Sequence, residues 1–131
     1  MEILRSVLRE LPEFQQLLAA LDGGQSPVAV SGLAAVHRAH FAACLGQESG
    51  RPVVMVCADE GEAERMARDL SFLTGGEVPV LAARSFLFHN IATVSRQWEH
   101  RRLRLLYRLT RGEIPCLVAT CLLYTSDAAD E

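Results

Sequence analysis

The stretch from Val28 to Leu45, VAVSGLAAVHRAHFAACL, constrains this chain more than any other. A short apolar run, a Ser-Gly turn and an alanine-rich run in that order predict a strand, a turn and a helix, the frame that a phosphate-binding loop requires. With Gly32 as the first glycine of G-x-x-x-x-G-K-S/T, the closing positions fall on His37, Arg38 and Ala39. Three of the four defining residues are therefore replaced. In a working loop the second glycine lets backbone amides close around a phosphate, the lysine reaches the outer phosphates and the hydroxyl holds magnesium. Here an imidazole, a guanidinium and a methyl group stand in those places. Gly32, His37, Arg38 and Ala39 thus form a vestigial P-loop, a shape without its chemistry. An ordinary strand-turn-helix crossover that never bound nucleotide fits the same residues.

A chain of 131 residues that is 50% hydrophobic and 22% charged is expected to be one globular domain with a real core. No apolar run approaches the ~18 residues of a membrane span, and MEILRSVLRE lacks the basic-then-apolar order of a signal peptide, so a cytoplasmic protein with no membrane partner is expected. Cys44, Cys57, Cys116 and Cys121 show no C-x-x-C spacing and three lie in apolar runs, which favours buried free thiols over disulfides. All 13 basic residues are arginine, so no residue here is available as a P-loop lysine.

Apolar residues recur at spacings of three and four from Ile3 to Leu21, with Pro12 dividing the run. Proline suits a first helical turn and breaks an interior, which predicts a short helix up to about Leu11 and a second from Pro12 to Leu21, ended by Asp22-Gly23-Gly24. After the 28–45 stretch, Gly46 to Gly50 is expected as loop and Pro52 to Cys57 as a strand covered on both faces. Asp59 followed by Glu62 is a capping-box-like start for a helix from Glu60 to about Leu73, closed by Gly75-Gly76. The acidic first turn of that helix suits its dipole, which accounts for Glu60, Glu62 and Glu64 without acid–base catalysis. A third strand is expected from Val78 to Leu81, a loop from Ala83 to Val94, a helix from about Ser95 to Thr110, and a fourth strand from Ile114 to Thr120. Alternating strands and helices imply βαβ crossovers and an α/β fold with a three-layer parallel sheet, in which ligands sit at the carboxyl ends of the strands.

Other clusters are weaker. His37, His40 and Cys44 share one helix face as possible zinc ligands, but a fourth ligand is not evident, so no metal is expected. The last helix is basic, with Arg96, Arg101, Arg102, Arg104, Arg108 and Arg111 against Glu99. Phosphate contact is open to it. Trp98, Leu103, Leu106 and Leu109 account for the same helix as a packing element. No nucleophile elbow or triad signature is present, and no catalytic residue is assigned.

The order VSGLAAVHRA, then RPVVMVCADEGEAERMARDLSFL, then FLFHNIATVSRQWEHRRLRLLYRL resembles the N-terminal module of the bacterial transcription-repair coupling factors (Mfd) over about residues 1–120. The most specific part is a helix carrying R-L-x-x-L-Y-x-L, matched by Arg102, Leu103, Leu106, Tyr107 and Leu109; Phe88-His89-Asn90 stands where the family often has Pro-Tyr-Asp. The resemblance implies a UvrB-like, helicase-like (RecA-like) half-domain with N-terminal helices and a decayed nucleotide site. It also implies a parent protein that displaces stalled RNA polymerase with a separate ATP- and magnesium-dependent DNA translocase and recruits UvrA for nucleotide excision repair. Residues 1–120 are then expected to be a truncated, non-catalytic interaction module without a cofactor, in contact with other domains of the parent chain. An active P-loop ATPase and an arginine-helix nucleic-acid-binding module are the alternatives.

Residues 121–131, CLLYTSDAADE, are encodable as tgt-ctc-tta-tac-aca-tct followed by gac-gct-gcc-gac-ga, which looks like a sequencing adaptor read through in frame. This tail is expected to carry no functional weight. Without Asp127, Asp130 and Glu131, the 16 acidic residues come level with the 13 basic ones.

Overall fold

Two short helices open the chain, α1 (Glu2–Arg9) and α2 (Pro12–Asp22), with Pro12 in the first turn of α2 as its missing N–H allows. They are followed by α3 (Ala35–Ser49), β1 (Val53–Cys57), α4 (Glu60–Thr74), β2 (Val80–Leu81), α5 (Ile91–Thr110) and β3 (Cys116–Thr120). The structure is a computed structural model, described here over residues 2–81 and 91–121, and for 91–95 as backbone alone. The fold is α/β with a three-stranded parallel sheet in the order β1-β3-β2. Val53 pairs with Cys116 through to Cys57 with Thr120, and Val80 pairs with Val118.

One face of this sheet packs on α3 and α4. Ala39, Ala42 and Ala43 of α3 and Ala63, Met66, Ala67 and Leu70 of α4 bury against Cys57, Cys116 and Val118. Small side chains bring α3 close to the strands, and Gly46 shows how close: a Cβ there would stand 2.6 Å from Cγ2 of Val53. Gly46 is therefore a contact residue inside the helix. The loop expected over Gly46–Gly50 is in fact the last turn of α3, which ends at Ser49 before Gly50 takes the left-handed conformation (φ 65°). A glycine placed for packing has the same letter as one placed for a turn, which is why the sequence misleads here.

The opposite side of α3 is also buried. Phe41, Cys44 and Leu45 meet Leu8 of α1 and Phe14 and Leu18 of α2. Phe14 is fully buried and meets Phe41 edge to face, with ring centroids 5.3 Å apart. Arg9 pairs with Glu48 at 2.7 Å, fixing α1 to the end of α3. On this side the layers run sheet, then α3 and α4, then α1 and α2. On the other face of the sheet, Leu117 of the central strand is buried whereas Val54 and Val56 of the edge strand are 50% and 65% exposed. The expectation that this strand is covered on both faces therefore fails at β1.

Two further expectations are corrected. The strand expected at Val28 is not one: residues 27–31 pair with no strand among the described residues, and Val28 and Val30 are exposed. An apolar run specifies extended backbone, but ladder pairing depends on distant parts of the chain, and among the described residues, 27–31 pair with neither edge strand, β1 or β2. The last helix begins at Ile91, within what was expected as loop; residues 82–90, including Phe88-His89-Asn90, and the tail from Leu122 lie outside the described residues. By contrast, α4 starts as its capping signature predicts. Asp59 Oδ1 accepts the N–H of Glu62 at 2.8 Å, and Glu62 Oε2 accepts the N–H of Ala58 at 2.9 Å. Gly75 closes α4 in the left-handed conformation (φ 74°).

All four cysteines are free thiols, with Cys44, Cys57 and Cys116 buried and Cys121 exposed. Desolvation raises the pKa of each of the three buried thiols, helped at Cys57 by the carboxylates of Glu62 and Asp59.

Three measurements check this account. Gly46→Val is expected to lower stability by about 1–3 kcal/mol through overpacking against Val53, read as a drop in the urea midpoint; an unchanged midpoint would mean that α3 is free to shift. Asp59→Ala is expected to cost about 1 kcal/mol through loss of the cap. In native protein near pH 8, a thiol reagent is expected to label Cys121 well before Cys44, Cys57 and Cys116. The pKa of these three is higher folded than unfolded, so their contribution to stability is complete below the ordinary thiol pKa of about 8.5 and is lost as pH rises beyond it.

Candidate functional site

The first turns of α3 and α4 both lie at the carboxyl end of the sheet, where β1 ends in Cys57 and β3 in Thr120. The chain reaches α3 through Gly32, whose φ of 83° is strained for any residue with a side chain. A Cβ at Gly32 would meet nothing within 4 Å, so backbone conformation, not crowding, selects glycine.

Only Leu33 and Ala34 separate Gly32 from the helix. Ala34 is the N-cap and provides no side-chain cap, and the N–H of Arg38 already donates to its carbonyl at 2.9 Å. The amides of Ala35, Val36 and His37 precede the first intrahelical bond and give this end of α3 its positive dipole. His37 is exposed. Arg38 folds back: its Nε donates to the carbonyl of Leu33 at 3.2 Å and its Nη1 lies 3.9 Å from Oε1 of Glu62. Ala39 has no exposed surface and packs in the core under the sheet. The four residues of the sequence motif are therefore dispersed, with a turn glycine, a surface imidazole, an ion-paired arginine and a core methyl.

Electrostatically the mouth of this region is balanced. Glu62 faces Arg38 through one carboxylate oxygen and binds the Ala58 amide with the other, while Asp59 binds the Glu62 amide. Both carboxylates are thus committed to holding the start of α4. One group here escaped the sequence reading. Thr120 is 2% exposed, and its Oγ1 has no hydrogen-bond partner among the described residues. Strand alternation puts it on the same face as Cys116 and Val118, beside Cys57. A threonine ending an apolar run reads as an ordinary strand residue, so sequence held no signal for it.

The remaining candidates separate. His40 is half-buried with Nε2 unpartnered, Cys44 lies in the cluster with Leu8 and Phe14, and His37 points to solvent; among the described residues no three His, Cys, Asp or Glu form a metal-binding group. On α5 the row turned toward the protein is Trp98, Arg102, Leu105 and Leu109, with the Arg102 guanidinium 5.5 Å from the Trp98 ring centroid. Leu103 and Leu106, expected as packing residues, are exposed instead, because the inward row follows the i, i+4, i+7, i+11 spacing from Trp98. Arg96, Gln97, His100 and Arg101 line an open depression of about 470 Å³. No helix among the described residues is long and apolar enough to cross a membrane.

No family model matches the chain, and no solved structure matches it. The chain is 26% identical over 120 residues to the transcription-repair-coupling factor of Bacillus subtilis (strain 168), a match that covers 91% of this chain and 10% of that protein. It spans about a tenth of the length of this curated relative. This likeness supports a relation of the chain to the transcription-repair-coupling factors.

Proposed function

We propose that residues 1–120 are a UvrB-like, RecA-like module of a transcription-repair coupling factor, and that this module works as a non-catalytic scaffold for other domains and partner proteins. The observation that carries this reading is the likeness over 91% of the chain to such a factor. On this reading, the translocase that uses ATP and magnesium, and the contacts of the full-length protein with DNA, RNA polymerase and UvrA, belong to the rest of the parent chain.

The geometry around α3 supports a non-catalytic role. A nucleotide site of this type needs backbone amides that wrap a phosphate, a mobile cation for its outer oxygens and a hydroxyl for magnesium. At these positions the cation is held by Leu33 and Glu62, and the residue in the hydroxyl position is a methyl buried under the sheet. The Glu62 carboxylate near Arg38 also opposes the approach of a polyanion.

Isothermal titration of the full chain with ATP, with and without magnesium, tests the proposal. No saturable heat is expected up to millimolar nucleotide. Micromolar affinity that disappears in Arg38→Ala would replace this reading with that of an active P-loop enzyme.

A further inference from the structure

Helix α5 presents far more apolar and cationic surface to solvent than its packing uses. Leu103, Leu106 and Tyr107 occur at i, i+3 and i+4 and are 66%, 36% and 61% exposed. Alongside them runs the row Arg96, His100 and Arg104, with Arg101 beyond it, all exposed. Arg108 and Arg111 are partly neutralised by Glu113, at 3.6 and 3.2 Å. Arg96, Arg101 and Arg104 pair with no carboxylate among the described residues.

We propose that this side of α5 is a docking surface for an acidic amphipathic helix of a partner protein. The inference deepens the interaction-module reading and rests on it. Two features select this occupant. An apolar row of three on one helix accepts the leucine stripe of another helix laid along it, and a tyrosine amid arginines is the composition that anchors such contacts. Among the described residues Arg101 and Arg104 have no carboxylate partner and flank the Tyr107 side of the stripe, where they call for carboxylates, whereas the exposed Glu99 lies on the Leu106 side. A phosphate backbone would satisfy the arginines but leave Leu103 and Tyr107 exposed. At 20 residues, α5 is about 30 Å long, enough for three turns or more of contact.

The test is fluorescence anisotropy with the full chain and four labelled probes. These are a helical peptide of about 20 residues with leucines at i, i+3, i+4 and i+7 and glutamates on one flank; its scrambled-order counterpart; its lysine-for-glutamate counterpart; and a duplex DNA of similar length. Saturable binding of the acidic amphipathic peptide alone is expected, on the order of micromolar. Arg101→Glu with Arg104→Glu is expected to weaken it by about tenfold or more, and Leu103→Ser with Tyr107→Ser by a similar factor. All four side chains are on the surface, so an unchanged circular dichroism midpoint is expected; should the charge reversals unfold the protein, Arg101→Gln with Arg104→Gln serves instead. No binding, equal binding of the scrambled peptide, or indifference to both variants would overturn the proposal. Tighter binding of the DNA, lost in the arginine variants, would overturn it in favour of a nucleic-acid surface. A failed peptide titration removes only this surface, whereas magnesium-dependent ATP binding removes the scaffold reading itself.

Discussion

The close approach of α3 to β1 is the contact on which the rest of the structure depends. Gly46 leaves no room for a Cβ against Val53, and Ala39, Ala42 and Ala43 continue the same narrow surface toward the amino end of the helix. Side chains this small let the backbone of a helix lie almost on the strands. The larger residues of α3, Phe41, Cys44 and Leu45, are left to face α1 and α2. One helix therefore joins two apolar clusters, and neither cluster can be repacked without moving the other. Had α3 carried leucines on both sides, it would stand further from the sheet, and the first turns of α3 and α4 would not meet at Arg38 and Glu62.

What was legible in the sequence follows from local chemistry. Pro12, the Asp59–Glu62 cap, Gly75 and the apolar runs of β1 and β3 each act within a few residues of themselves, and each produced the element expected. What was not legible depended on distant partners. Val28 to Val30 have a strand's composition but no pairing among the described residues, and Gly46 has a turn's composition inside a helix. On α5 the inward row could not be chosen from the sequence, since leucines at 103, 105, 106 and 109 offer more than one apolar face. The structure chose the face of Leu105 and Leu109, and this left Leu103 and Leu106 outside.

The candidate site divides along the same line. The residue types at Gly32, His37, Arg38 and Ala39 were plain from spacing, but their fates were not. Arg38 is held in place by a glutamate that the capping signature had already assigned to α4, so one carboxylate serves two elements. Among the described residues, Thr120 is a hydroxyl beside Cys57 with no partner and the one polar side chain in an otherwise apolar buried set. A buried hydroxyl without a partner is ordinarily unfavourable by about 1–3 kcal/mol.

The strand order has a consequence for how the chain is made. β3 is the neighbour of both β1 and β2, yet it is the last strand along the described chain. During synthesis, the run Val53–Cys57 leaves the ribosome with its pairing partner not yet translated, and stays so until α5 and then Cys116–Thr120 have followed. The helices form from near neighbours, but the sheet cannot begin until its centre arrives. An emerging chain thus carries an unpaired apolar strand until α4, β2 and α5 have been made and β3 follows. Over that interval the unpaired strand is open to association with other chains.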